Sequence, residues 1–151
     1  MTGSVREIFI AAESGGTPRP VEVAQAHAGR GLEGDRNFST PDRWIGTGNA
    51  ITLIESEVIA EVYEQHGLDI REGRSRRQVV TEGVRLNDLV GREFTVGPLR
   101  CRGVELCEPC LDLQRMLGDT RTITILVHRG GLRADILEGG QLRPGDRLEA
   151  A

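Results

Sequence analysis

The chain has 151 residues, with 19 basic and 23 acidic side chains and a formal net charge of −4. We expect residues 1–151 to form a single domain that buries roughly two-thirds of its unfolded surface. No basic stripe interleaves with aromatic residues, so we expect no nucleic-acid partner. No apolar run approaches the roughly 20 residues of a membrane span, and the N-terminus has no hydrophobic signal core, so we expect no membrane association or export.

The lysine, arginine and cysteine counts limit the reactions and the kinds of scaffold that are open to this chain. All 19 basic residues are arginine, and the absence of lysine excludes an internal aldimine with pyridoxal phosphate. Arginine offers a planar fork that binds phosphate or carboxylate groups, although GC-rich coding would produce the same bias. The three cysteines form an odd set, which argues against a disulfide scaffold and favours a reducing, cytoplasmic setting.

Taken in chain order, short apolar or β-branched runs separated by glycine-rich turns predict strands. The predicted strands cover residues 5–12, 21–26, 50–54, 78–81, 93–96, 99–106, 123–127 and 147–149. Residues 28–48 contain few apolar side chains and are predicted to form either a long functional loop or an ordered excursion. Many short strands with little helix favour a barrel or a sandwich.

Two helices are also predicted. Ser56 can cap the first, and Gly67 is a natural stop for it. The second is expected over residues 110–117, with Gly118 as its stop. One apolar face of the first helix has helical spacing and consists of Val58, Ile59, Val62 and Tyr63.

The segment Cys107-Glu108-Pro109-Cys110 carries the most chemical information. Pro109 has a fixed φ and pushes Glu108 out of helical space, so the turn that presents Cys110 is stiff. A cysteine where a helix begins favours the thiolate, which is both a nucleophile and a soft metal ligand. Three other interpretations of the pair stay open: a structural zinc site, a thioredoxin-like redox pair, or two inert buried cysteines. Cys101 is expected to belong to the core.

Two further stretches contain arginines that could bind an anion. Gly31-Leu32-Glu33-Gly34-Asp35-Arg36 is either a glycine-rich binding turn or a surface turn with a solvated ion pair. Arg74, Arg76 and Arg77 precede the strand at 78–81; on an extended chain Arg74 and Arg76 share a face and Arg77 points to the other. Such a pair suits a phosphate, and a solvated charge run is equally compatible with the pattern.

In this order, these stretches resemble the MOSC domain, the module at the C-terminus of molybdenum cofactor sulfurases. Residues 31–36 resemble its Gly-Leu-x-Gly-Asp-Arg motif, residues 76–91 resemble its central signature, and Cys110 falls on the cysteine of its Pro-Cys site. Residues 129–134, Gly139-Gly140 and Pro144-Gly145-Asp146 resemble its C-terminal pattern. The similarity spans residues 8–148 and implies a stand-alone, bacterial-type member.

The resemblance implies a mainly β fold: a small closed β-barrel of the pyruvate-kinase barrel type, with two or three short peripheral helices. Relatives often have a short helix just before the Gly-Gly motif, where propensity predicts the strand at 123–127. It implies that Cys110 is the catalytic residue and either a metal ligand or the carrier of a persulfide. It further implies that Arg76, Gln78, Arg36 and Arg77 contact the molybdenum cofactor, an anionic molybdenum-pterin. Relatives often have asparagine at position 78, which keeps the amide but has a shorter reach.

Three functions remain open on this basis. The chain is expected to bind the molybdenum cofactor or to carry sulfur on Cys110. The alternatives are a molybdenum-dependent reductase of N-hydroxylated compounds and a cofactor-free interaction module. The first two functions need a partner, either a cysteine desulfurase-type sulfur donor or an electron-transfer protein. The reason is that neither a sulfurase domain nor the N-terminal barrel of larger reductases is recognisable in the 151 residues.

Overall fold

Eleven strands form within residues 2–151, the part of the chain that this computed structural model describes. They are β1 Thr2–Ile10, β2 Arg19–Pro20, β3 Ala24–His27, β4 Gly31–Leu32, β5 Ile51–Glu55, β6 Val79–Glu82, β7 Glu93–Val96, β8 Leu99–Leu106, β9 Leu132–Glu138, β10 Gly140–Leu142 and β11 Arg147–Ala150. Seven of them pair in the order β1-β6-β5-β9-β8-β7-β11, and β11 pairs with β1 to close a barrel. This confirms the predicted fold class.

The barrel closes around side chains that alternate along its strands. In β7, Phe94 and Val96 are fully buried while Thr95 between them is exposed, as expected for a strand with one face on the core. The hairpin of β7 and β8 pairs Val96 with Leu99. Both strands have the bounds that the sequence predicted, because their alternation is regular and Gly97-Pro98 marks the turn.

Three short helices pack outside the barrel, as the resemblance implied. They are α1 Ser56–His66, α2 Leu111–Leu117 and α3 Thr122–Leu126, and a single 3₁₀ turn covers Leu86–Leu89. Helix α1 buries Val58 and Val62 and ends at Gly67, whose φ of 67° is left-handed. Glu55, not Ser56, occupies the position before α1 and makes no side-chain cap bond. Tyr63 does not face the core, since it is 42% exposed and lies under the guanidinium of Arg71.

The predicted strand at 123–127 is wrong, because this segment forms α3. The hydroxyl of Thr122 donates to the Asp119 carbonyl over 2.7 Å and so closes the turn that begins the helix. The buried residues of α3 are Thr122, Ile125 and Leu126. Their spacing is i, i+3, i+4, which is the period of a helix face. Propensity alone favoured a strand because Ile and Thr are β-branched.

Other differences concern strands that are short or whose apolar pattern is interrupted. The predicted strand at 21–26 is shifted to β3, which pairs with β10 and β4 in a small separate sheet. Within the predicted loop at 28–48, only the two residues of β4 form a strand. Strand β9 was not predicted, although it lies between β8 and β5 in the barrel. Along residues 2–151, no helix is both long and apolar enough to cross a membrane.

Candidate functional site

Cys110 lies at the surface where β8 passes into α2. It is the exposed member of three free cysteines, while Cys101 and Cys107 are buried. Its φ of −127° and ψ of 172° are extended, and its carbonyl accepts a hydrogen bond from the Gln114 N–H over 3.1 Å. Leu113, only 3% exposed, anchors α2 against the outer core. The thiol is therefore exposed to solvent, on a segment that the buried Leu113 side chain holds against the core.

Arg77 holds the segment before Cys110 from inside the protein. Its Nε donates to the Gly130 carbonyl over 2.8 Å, and its Nη2 donates to the carbonyls of Cys107 and Glu108 over 3.1 and 3.4 Å. The residue is 8% exposed. Burial lowers the pKa of its guanidinium, which nevertheless stays charged because its ordinary pKa is above 12. Nη1 makes no hydrogen bond to any residue between 2 and 151.

A cavity of about 240 Å³ connects Cys110 with three arginines. Its lining residues come from the β1–β2 connection, the 31–36 motif, the segment before β6 and helix α2. They are Ser14, Gly15, Arg36, Arg76, Arg77, Cys110, Asp112, Leu113 and Met116. Four of the five residues predicted to form the site, all except Gln78, therefore line one cavity. We call it the Cys110 cavity.

The positive charge of the Cys110 cavity is poorly balanced. Among residues 2–151, Arg36 is the one cavity arginine with a carboxylate at salt-bridging distance, 3.7 Å from Asp35 Oδ1. Arg76 instead donates from Nη1 to the carbonyl of Gly16. Burial, followed by the nearby charge of Arg36, lowers the pKa of Arg76. The cavity also contains the exposed carboxylate of Asp112, which pairs with Arg115 over 3.3 Å. Three arginines against these two carboxylates leave a positive excess, which favours an anionic ligand.

The carboxylate of Asp35 accepts three hydrogen bonds within the protein, so the 31–36 motif is not a solvated surface turn. Its Oδ1 accepts the main-chain N–H of Ala11 over 3.0 Å. Its Oδ2 accepts the Asn37 N–H over 3.2 Å and the Gln78 amide over 2.9 Å. The side chain of Asp35 is 1% exposed. These contacts orient the motif and leave Arg36 to line the cavity.

Gln78 lies behind the cavity wall and bridges two elements. Its Nε2 donates to Asp35, and its Oε1 accepts the Thr52 N–H over 3.0 Å. In return, the Gln78 N–H donates to the Thr52 hydroxyl over 3.1 Å. Both ends of the amide are used within the protein, so these contacts give Gln78 a supporting position. Its predicted contact with a cofactor stays a prediction.

The expected pairing of Arg74 with Arg76 on one strand face is wrong. Arg76 has a φ of 65°, and its N–H donates to the Gly73 carbonyl over 3.0 Å, so residues 73–76 turn instead of extending. Arg74 is directed to Asp69, 3.2 Å away. The turn places Arg76 and Arg77 together on the Cys110 cavity. Alternation could not reveal this, because it assumes an extended backbone.

A second, wider cavity adjoins the first. It measures about 610 Å³ and shares Gly15, Arg76 and Met116 with the Cys110 cavity. Its remaining walls include Thr17, Leu68, Asp69, Arg74, Leu117 and Asp119. The hydrogen bond to Arg71 holds the pKa of Asp69 near 2, and the hydrogen bond to Arg121 does the same for Asp119. The wider cavity thus has charged walls of both signs.

Two contacts near Cys110 were not predicted from the sequence. Glu108 binds the main-chain N–H and the ring of His128. Gly130 packs so closely on the Cys107 carbonyl that a side chain there would clash with it. The run Arg129-Gly130-Gly131 was a usable signal for the second contact, since glycine marks close backbone approach. No local pattern links Glu108 to a residue 20 positions away.

The donor set at the cavity limits the metals that it suits. Within residues 2–151, no three His, Cys, Asp or Glu side chains converge as a metal site. Structural zinc needs four protein ligands, so the zinc interpretation finds no support in this geometry. A single soft thiolate beside several arginines suits a metal that arrives within an anionic cofactor.

Comparison with known proteins agrees with the fold. Among solved structures, the YUAD protein from Bacillus subtilis superposes with a TM-score of 0.82 at 16% identity, covering 99% of this chain and 96% of that one. YiiM from Geobacillus stearothermophilus gives a TM-score of 0.75 at 14% identity, with 99% and 75% coverage. YiiM from Escherichia coli gives 0.69 at 18% identity, with 100% and 70% coverage.

The sequence itself identifies the family. No curated protein matches this sequence. The sequence profile of the MOSC domain matches residues 38–149, which is most of the chain. The likeness to the two YiiM structures, at 14% and 18% identity, concerns the fold. The chain therefore belongs to the MOSC domain family, which is associated with molybdenum-cofactor binding.

Proposed function

We propose that this protein binds the molybdenum cofactor in the Cys110 cavity. The observation that carries the proposal is the set of three arginines beside an exposed thiol, with one carboxylate among them at salt-bridging distance. The cofactor is anionic through its pterin phosphate and contains a metal that thiolate ligands suit. Both properties are complementary to the cavity.

Each cavity residue has a distinct role in this proposal. Cys110 supplies the sulfur ligand to the metal. Arg76 and Arg36 bind the anionic part of the cofactor, and Arg77 contributes Nη1 and a buried positive charge. Asp35 and Gln78 hold the 31–36 motif in place behind them. When bound, the cofactor supplies a two-electron redox centre.

A sulfur-carrier role uses the same residues. The exposed position of Cys110 leaves its Sγ accessible to a cysteine desulfurase-type donor, and the arginines favour an anionic persulfide. Sulfane sulfur on Cys110, without molybdenum, would support this form of the proposal. Transfer of sulfur or electrons then requires a partner protein.

A second candidate, implied by the family resemblance, is reduction of N-hydroxylated compounds, for which the wider cavity offers space. It adjoins the Cys110 cavity and has room for a small organic molecule. Such a reaction converts N–OH to N–H and water, and it consumes two electrons and two protons. The electrons would come from an external electron-transfer protein. Turnover of an amidoxime with a reduced donor would support this candidate, and its absence in the molybdenum-loaded protein would contradict it.

The test of cofactor binding uses two neighbouring arginines. Protein purified from a host that makes the cofactor is analysed for molybdenum, pterin, sulfane sulfur and zinc. We expect molybdenum and pterin in the wild type and a marked loss in Arg76→Gln. Arg74→Gln is the matched control, because Arg74 pairs with Asp69 and does not line the Cys110 cavity. Equal molybdenum and pterin contents in the two variants would contradict the proposal.

A further inference from the structure

Glu108 and His128 make a two-point contact that the proposed function does not use. Glu108 Oε1 accepts the His128 main-chain N–H over 2.7 Å, and its Oε2 lies 2.8 Å from His128 Nδ1. Since a carboxylate only accepts, Nδ1 carries the proton in this contact. Two bonds to one residue fix both the position and the orientation of the Glu108 side chain.

The contact is anchored to the end of the barrel. His128 has a φ of 62°, a left-handed conformation that is uncommon for residues other than glycine and persists only where the surroundings hold it. Its carbonyl accepts a hydrogen bond from Asn87 Nδ2 over 2.7 Å. Asn87 belongs to the 3₁₀ turn whose Leu86 and Leu89 are fully buried. The backbone of His128 is therefore held in place, although its side chain is 75% exposed and that of Glu108 is 42% exposed.

Arg77 holds the same segment from the opposite side. It binds the carbonyls of Cys107 and Glu108, while His128 binds the Glu108 carboxylate. Pro109 fixes its own φ and keeps Glu108 extended. Few torsions remain free between the clamped Glu108 and Cys110.

We propose that Glu108 and His128 are positioning residues that, together with Arg77, keep the Cys110 thiol beside the arginines of its cavity. The inference rests on the proposed function, in which Cys110 meets an anionic ligand there. Without the Glu108–His128 contact, Arg77 alone holds the segment before Cys110. The Cys110 thiol then spends less time near the positive charges of its cavity.

The test measures how strongly Cys110 prefers an anionic reagent. Cofactor-free protein is alkylated with iodoacetate, which is anionic, and with iodoacetamide, which is neutral; mass spectrometry follows the Cys110 peptide. Cys101 and Cys107 are buried and serve as internal references. The ratio of the two rates reports the local charge around the thiol, because a general loosening of the segment raises both rates together.

We expect the wild-type ratio to exceed that of glutathione. It should fall about fivefold in His128→Gly, the factor for one unit-charge contact in water, because glycine accepts the left-handed backbone but lacks the ring donor. His128→Asn should keep the wild-type ratio, because asparagine tolerates this conformation and offers an amide donor near the Nδ1 position. Both His128 variants keep the carboxylate of Glu108, whose removal would by itself raise the preference for the anionic reagent.

The outcomes separate the two proposals. A high wild-type ratio that is unchanged in His128→Gly would overturn the positioning role and leave the arginine cluster intact. A fall in His128→Asn as large as in His128→Gly would also overturn it. A wild-type ratio no higher than that of glutathione would contradict the charged cavity itself, and with it the proposed function.

Discussion

Arg77 Nε lies 2.8 Å from the carbonyl oxygen of Gly130, although the two residues are 53 positions apart in the chain. The contact joins the start of β6 to the turn before β9, and the same guanidinium also binds Cys107. Three separate sequence motifs are thereby held in one structure around Cys110. A planar donor with several N–H groups is needed for this geometry, and arginine alone offers it.

Replacing Arg77 by lysine should destabilise the protein. An ammonium group cannot reach all three carbonyls that the guanidinium binds, so buried acceptors lose their donors. We expect the free energy of unfolding to fall by about 1–3 kcal/mol, measured by urea denaturation. Arg74→Lys is the control; its partly exposed ion pair should contribute less than about 0.5 kcal/mol. Identical urea midpoints for the two variants would show that Arg77 is not a structural anchor.

Shortening Gln78 should weaken the support of the 31–36 motif in steps. In Gln78→Asn the amide is one methylene shorter and can satisfy Asp35 or Thr52, but not both. In Gln78→Ala the buried carboxylate of Asp35 loses a donor, which costs about 1–3 kcal/mol. We expect thermal stability to fall in the order wild type, Asn variant, Ala variant. A Gln78→Ala protein as stable as the wild type would contradict this account of the amide.

Glu55 should make stability depend on pH. Burial raises the pKa of this carboxyl above its ordinary 4.5, although the Leu86 N–H partly opposes the shift. A raised folded-state pKa gives a contribution that is fully present below pH 4.5 and is lost as pH rises through the folded value. Glu55→Gln removes the charge and keeps an acceptor for Leu86. We therefore expect the variant to be more stable than the wild type at neutral pH.

The pH profile of unfolding checks the origin of that gain. Urea midpoints of wild type and Glu55→Gln, measured from pH 4 to pH 8, should converge at the acid end and separate at the neutral end. Glu57→Gln serves as the comparison variant, because Glu57 is a nearby acid whose carboxylate accepts a main-chain N–H at the surface. A gain for Glu55→Gln that is constant across the range would mean that charge burial is not its cause.

Regular elements of this fold could be predicted because their signals are local. Strands β7 and β8 follow from clean alternation and a glycine-proline turn, and Gly67 and Gly118 end their helices in left-handed conformations. The error at 123–127 arose where β-branched propensity and helical spacing disagreed. Strand β9 was missed because Arg133 and Asp135 interrupt its apolar pattern; both are used in tertiary contacts, such as Asp135 with the Gly48 N–H over 2.9 Å.

The sequence named the residues of the candidate site but did not predict their geometry. Cys110, Arg36, Arg76 and Arg77 were named through the resemblance, and they do line one cavity. Their arrangement depends on the left-handed backbone at Arg76 and on contacts between residues far apart in the chain. The Glu108–His128 contact is of the same kind. Such features follow from tertiary packing, which a single sequence does not display.

The most direct test of the account compares two cysteines three positions apart. Wild-type, Cys110→Ser and Cys107→Ser proteins are purified in parallel from a cofactor-producing host, and the molybdenum-to-protein ratio of each is measured. We predict that Cys110→Ser loses the metal while its unfolding temperature stays close to that of the wild type, and that Cys107→Ser retains it. Loss of molybdenum in Cys107→Ser alone, with full retention in Cys110→Ser, would contradict the assignment of Cys110 as the ligand.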